Sequence, residues 1–141
     1  MHRLQLPRWS WLALPPAVAL AGGGAWLLYR IDPSGVDSPF PACAFRAVTG
    51  FYCVGCGGTR CAHALLHGDL STAWSMNPLL VMLVALLPLA MTWWVGYRPR
   101  WLQPLMQLLG TPTFWLILLP AFWIARNLPW PPFTSLAPLA G

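Results

Sequence analysis

Two charged residue types are missing from this chain altogether. There is no lysine and no glutamate, so all 8 basic residues are arginines and the 3 acidic ones are Asp32, Asp37 and Asp69. Only 8% of the residues are charged and 57% are hydrophobic, whereas about a quarter of an ordinary soluble domain is charged. So few charges cannot cover a water-exposed fold, which leaves lipid as the solvent. No carboxylate pair, serine and histidine set or phosphate-cradling loop is present, which motivates a structural or accessory role over a catalytic one. The net charge of +5 sits on single arginines beside apolar runs rather than in a basic patch, and nucleic acid is not an expected partner. There is no internal repeat.

What the chain has in quantity is apolar span, tryptophan and proline. Residues 9–29 carry no charge and reach roughly 30 Å as a helix, the thickness of a bilayer core. A signal peptide competes for this segment, because Arg3 and Arg8 precede it and Ala19-Leu20-Ala21 resembles a cleavage site. Cleavage there would leave Ala25 to Tyr29 as an apolar start without a role, so the anchor reading is taken. No cysteine precedes Cys43, which rules out a lipoprotein signal. Residues 78–96 form the strongest span, opened by Asn77 as N-cap and Pro78 at the first helical position, with Pro88 as a kink. A third span is expected over 111–126, shorter than the usual roughly 17–25 residues. The loop before it, with Arg98 and Arg100, has room for a short interfacial helix.

These features give an all-α integral membrane protein of about three transmembrane helices, with a short cysteine-motif helix at the membrane face between the first two. Trp9, Trp93, Trp94, Trp101, Trp123 and Trp130 lie near span ends, where tryptophan concentrates. Arginine counts tie between the two orientations. The weight of the first helix and of the short loop holding Arg98 and Arg100 places the N-terminus in the cytoplasm, and the cysteine motif outside a bacterial inner membrane.

That motif, residues 40–70, gathers all 4 cysteines together with His63 and His67. Cys53-Val54-Gly55-Cys56-Gly57 brings two thiols to one point on a glycine turn, a spacing used both by metal knuckles and by redox dithiols. Cys43, Cys53 and Cys56 supply three metal ligands, with His63 or Cys61 as a fourth, and zinc is the metal this set suits. A structural disulfide from Cys43 to Cys53 or Cys56 fits the same spacing. Thr59 is read as the N-cap of a helix ending at His67-Gly68, which puts Arg60, His63 and His67 on one face. The plain reading of that stripe is a solvated or headgroup-facing side. Cys56 then precedes a helix N-terminus, where the dipole and Arg60 favour a thiolate. Asp69 is expected to cap a further short helix. Arg126 and Asn127 close the third span on the side of the cysteines.

The run Pro41, Cys43, Thr49-Gly50, Cys53, Cys56-Gly57, Thr59-Arg60, Gly68-Asp69 and Asn77-Pro78 resembles the bacterial membrane family catalogued as domain of unknown function 2752. Arg126-Asn127 to Phe133 is similar to that family's C-terminal end. Val54 stands where the family usually carries proline, and Cys61 is not part of its pattern. The resemblance implies a small polytopic membrane protein with the motif Cys43, Cys53, Cys56, Gly57, Thr59, Arg60, Asp69 and Asn77, and it brings no activity. The expected role is structural or accessory, a partner-binding membrane component with a cysteine-centred metal or disulfide site. The partners are the bilayer and another membrane protein. The enzymatic alternative is a membrane thiol-disulfide oxidoreductase exchanging through Cys53 and Cys56.

Overall fold

A computed structural model describes residues 10–35, 38–41 and 43–138. Arg3, Arg8 and Trp9, which bear on the topology reading, and Asp37 lie outside them. Within the described residues the chain is all-helical: α1 (Ser10–Arg30), α2 (Ala44–Thr49), α3 (Gly58–Leu66), α4 (Leu70–Met76), α5 (Pro78–Val95), α6 (Gln103–Leu109) and α7 (Pro112–Ala125).

Capping residues set most of the boundaries. Between α3 and α4, Gly68 takes φ 75°, its N–H donates to Leu65 O, and Asp69 N–H donates to Ala64 O at 2.9 Å. This is a Schellman closure, whose left-handed residue is best filled by glycine. Asp69 then accepts the Thr72 N–H at 2.9 Å and the Thr72 hydroxyl at 2.6 Å, so one Gly-Asp pair ends one helix and starts the next. Asn77 repeats the device at the next junction, where its side chain accepts the Leu80 N–H at 3.1 Å to open α5. The small residues Cys61, Ala64 and Ala73 let α3 and α4 approach closely, and Leu65, Met76, Leu80 and Val81 pack around them. α3 also packs against α1 and α5, which makes the α3–α4 hairpin the hub of the molecule.

The N-cap of α3 is Gly57, not Thr59; the helix starts at Gly58. Its φ of 77° is a left-handed value, and a Cβ there would stand 2.6 Å from the Met76 backbone oxygen. Glycine is therefore required twice over, by conformation and by the closeness of α4.

The long helices have the opposite character. α5 has only 6% of its 18-residue apolar window buried, with Leu87, Met91, Trp94 and Val95 all exposed. A soluble core helix would be covered, so this helix is built for an apolar surrounding. Among the described residues α5 is the one helix that is by itself long and apolar enough to cross a membrane. α1 spans 21 residues with Pro15 and Pro16 inside it, in the place expected for the first span. The expected third span is interrupted. α7 has 14 residues, about 21 Å of helix against a hydrocarbon core of about 30 Å, and it meets the span requirement only together with residues Arg100–Leu109, from which it is bent by 67°. The Thr111 side chain does not cap α7; its hydroxyl donates back to Gln107 O at 2.8 Å, and the Trp115 indole donates to Leu109 O at 2.7 Å, which pins the bend.

Candidate functional site

Side chains from three other parts of the chain meet at the loop 52–57, those of Cys43, of Asn77, and of Arg126 and Asn127. The loop itself carries Cys53 and Cys56. Cys43 arrives from the start of α2, and Arg126 and Asn127 arrive from the end of α7.

The Cys43 and Cys53 sulfurs stand 3.4 Å apart and those of Cys53 and Cys56 3.0 Å apart, and all three Sγ atoms lie within 4.8 Å of one another. The thiols are free. Four sulfurs around a zinc ion at a Zn–S distance of about 2.3 Å would be about 3.8 Å apart in a tetrahedron, so three of the four corners are nearly in place. The other sequence candidates are elsewhere. Cys61 is fully buried and its thiol donates to Asn77 O at 3.6 Å. His63 turns its Nδ1 to the Leu28 carbonyl, which ties α3 to the end of α1. His67 stacks on Tyr29 with ring centroids 4.5 Å apart. Both histidines of the expected solvated stripe therefore meet α1, His63 half-buried and His67 still exposed.

Thiol acidity is also distributed differently from the expectation that Cys56 would be the thiolate. Burial first, and then the neighbouring Cys53 thiol, push Cys56 up to about 12. Cys43 is the acidic member, lowered to about 7, first by the backbone N–H of Arg46 and then by the thiols of Cys56 and Cys53. Cys56 is buried, while Cys43 stands at the N-cap position of α2, at the edge of the cleft.

The loop is held by side chains rather than by secondary structure. Arg126 is 1% exposed; its Nη1 donates to Cys53 O and Val54 O, each at 2.9 Å, and its Nη2 donates to Cys56 O at 3.1 Å. Asn77 Nδ2 donates to Val54 O at 3.1 Å and to Cys56 O at 3.3 Å. Asn127 pairs with the Tyr52 backbone in both directions, accepting its N–H at 2.8 Å and donating to its carbonyl at 3.0 Å. The Arg46 guanidinium lies 4.1 Å from the centroid of the Tyr52 ring, and Phe45 meets Trp123 edge to face, so α2 and α7 are joined across the same loop. Nothing in the sequence marked Tyr52 as part of this arrangement. Arg126 and Asn127 were marked only by their position at the end of an apolar run.

Arg126 Nε has no hydrogen-bond partner, and no carboxylate approaches this buried guanidinium among the described residues. A buried charge without a counter-charge is strongly unfavourable. The nearby groups able to supply negative charge are the thiols of Cys56 and Cys53 and the Tyr52 phenol.

Thr59 and Arg60, at the start of α3, face a cleft of about 740 Å³ that runs from the three cysteines past Arg46 to Ser34 and Pro138. Asp69 and Asn77 serve as the caps described above, and Asn77 adds its bonds to the loop. The motif thus divides into residues that line the cleft and residues that hold its floor.

Over residues 43–91 the chain matches the family model described as protein of unknown function, DUF2752. The match runs from Cys43 through the loop, α3 and α4 into α5, which agrees with the resemblance drawn from the motif. Arg126 and Asn127 lie beyond it, although they complete the same site. No curated protein and no solved structure matches the chain.

Proposed function

We propose that this chain is a multi-pass inner-membrane protein whose cysteine motif holds a thiolate-bound metal ion, zinc by the chemistry of the donors, at one membrane face. In this reading α1, α5 and the bent α6–α7 segment make three crossings, with the N-terminus cytoplasmic and the cysteines extracytoplasmic. The role is accessory: a scaffold or partner-binding membrane component organised by the metal site. The bare apolar surface of α5 supports the membrane placement.

One observation carries the metal reading, the convergence of Cys43, Cys53 and Cys56 in front of a buried Arg126. Three thiolates around a divalent ion carry one net negative charge, and the guanidinium behind them carries one positive charge. The buried charge is then balanced without a carboxylate. A lone disulfide between two of the cysteines provides no such balance and leaves the third thiol without a role.

The test is metal analysis of the full-length protein purified in detergent, alongside thiol titration before and after reductant. About one zinc per chain is expected, lost on Cys43→Ser, Cys53→Ser or Cys56→Ser and retained on Cys61→Ser. A metal-free protein with an oxidised cysteine pair would sink the reading.

The 3.0 Å approach of the Cys53 and Cys56 sulfurs favours a second reading, thiol-disulfide exchange. The Cys43 or Cys53 thiolate would attack a partner's disulfide, and the resulting mixed disulfide would be resolved by a neighbouring thiol, oxidising a pair here while the partner is reduced to two thiols. The same thiol titration separates the two, since exchange requires a reducible pair and no bound ion.

A further inference from the structure

Of the three ligands that converge, none brings a fourth with it. Among the described residues no other cysteine, histidine or acidic side chain joins Cys43, Cys53 and Cys56 in one group. Structural zinc sites are closed by four protein ligands, whereas sites that act on a ligand keep one position open. Here the three sulfurs line a cleft of about 740 Å³, the size of pockets that take small molecules, about 300–1,000 Å³.

The walls of that cleft are basic. Arg46 and Arg60 both line it, with no acidic residue among its described lining, and no ion pair neutralises either arginine among the described residues. Asp32 has its carboxyl lowered chiefly by the Ser34 N–H, with the charge of Arg60 the smallest cause. Gly57, Gly58 and Thr59 form the wall at the start of α3; the Gly58 N–H is taken by Gly55 O at 2.9 Å, which leaves the first-turn N–H groups of Thr59 and Arg60 as the ones that favour an anion. Arginine forks and helix-start N–H groups share one preferred ligand, an oxyanion. Arg126 already balances the negative charge of the metal and three thiolates, so Arg46 and Arg60 are left in excess.

Building on the metal reading, we propose that the fourth coordination position is filled from the cleft by an oxyanion of the phosphate class, held against Arg60 and Arg46. The open corner is where its oxygen binds the ion. The cleft leaves room for the rest of a phosphate-bearing molecule along the wall of Pro33, Phe40 and Pro41. Both a free phosphate and the headgroup of an anionic lipid present this chemistry at a membrane face.

The experiment uses the full chain loaded with Co²⁺ in place of zinc, in nanodiscs, with the visible ligand-field band as the readout. In phosphatidylcholine nanodiscs, added inorganic phosphate is expected to shift the band saturably if free phosphate is the source. In phosphatidylglycerol nanodiscs without phosphate, the shift is expected to be present already if the headgroup is the source. In whichever arm responds, Arg60→Gln should weaken the response about ten- to a hundredfold, with the thiolate-to-cobalt bands unchanged. A band that responds in neither arm, or one that responds equally in Arg60→Gln, overturns the inference. So does a band altered by Asp37→Asn and indifferent to phosphate, which would make that carboxylate the fourth ligand. Failure of the chain to bind cobalt at all overturns the metal reading first, and the two failures are thereby distinct.

Discussion

Loop 52–57 and helix α5 adjoin at Asn77 and are stabilised by opposite means. In the loop, the carbonyls of Tyr52, Cys53, Val54 and Cys56 are each taken by a side chain of Asn127, Arg126 or Asn77, at 2.9 to 3.3 Å. In α5 the backbone satisfies itself and the side chains are apolar and bare. A loop whose own turn bonds run only from Cys56 N–H to Cys53 O and from Gly58 N–H to Gly55 O can hold its two thiols in place only if its remaining polar groups are bonded from outside. A helix that needs no outside bonds is suited to lipid. The difference shows what the ends of α5 and α7 contribute: Asn77 at the start of one, and Arg126 and Asn127 at the end of the other, reach the same few carbonyls.

Breaking the loop's side of this contrast should have the largest effect. Arg126→Ala removes three hydrogen bonds and the buried positive charge, and a loss of about 3–5 kcal/mol is expected, read as a lower unfolding midpoint in detergent together with lost metal. Arg126→Lys keeps the charge but not the fork, so it should fall between the two proteins. A fully stable Arg126→Ala protein would show that the loop holds itself.

The helix side is tested by Leu87→Asp, since Leu87 is 55% exposed near the middle of α5. If lipid surrounds it, the charge costs about 2.5–3.5 kcal/mol of insertion, seen as reduced recovery in the membrane fraction. Unchanged membrane recovery would mean that water, not lipid, meets this face.

Gly57→Ala probes the junction between the regions. The Cβ would meet the Met76 oxygen at 2.6 Å in a left-handed conformation, so a cost of about 1–3 kcal/mol is expected, with disturbed metal stoichiometry. Wild-type stability and metal content in this variant would show that the loop and α4 are not in rigid contact.

The smallest effect belongs to Asp69, whose carboxyl is held below the ordinary aspartate range first by the Thr72 hydroxyl and then by the Thr72 N–H. A depressed folded-state pKa contributes stability that is fully present above the unfolded pKa and is lost as pH falls through the folded one. Asp69→Asn retains a capping oxygen; it should change little at neutral pH and flatten the acid limb of the stability curve. An acid limb identical in the two proteins would assign it to other carboxyls, Asp32 among them, which is also lowered.

Much of this molecule is legible in its residues because the causes are local. The uninterrupted apolar run after Asn77-Pro78 calls for one long helix, and α5 begins and ends within a residue of the bounds expected for it. Gly68-Asp69 and Asn77-Pro78 are caps whose chemistry acts over one turn, and both act as read. The Cys-x-x-Cys turn brings its own two sulfurs together by spacing alone.

What tertiary structure decided is which distant groups share that point, and in what state. That Cys43 joins the pair while Cys61 and His63 do not, that Cys56 is buried and Cys43 acidic, and that Arg126 reaches across more than seventy residues to the loop carbonyls all depend on how α1, α3 and α7 pack. Ligand sets and pKa values follow from distances and burial, which residue types and spacing leave open. The bend between α6 and α7 is of the same kind, set by the Trp115 and Thr111 bonds across it rather than by apolarity along the chain.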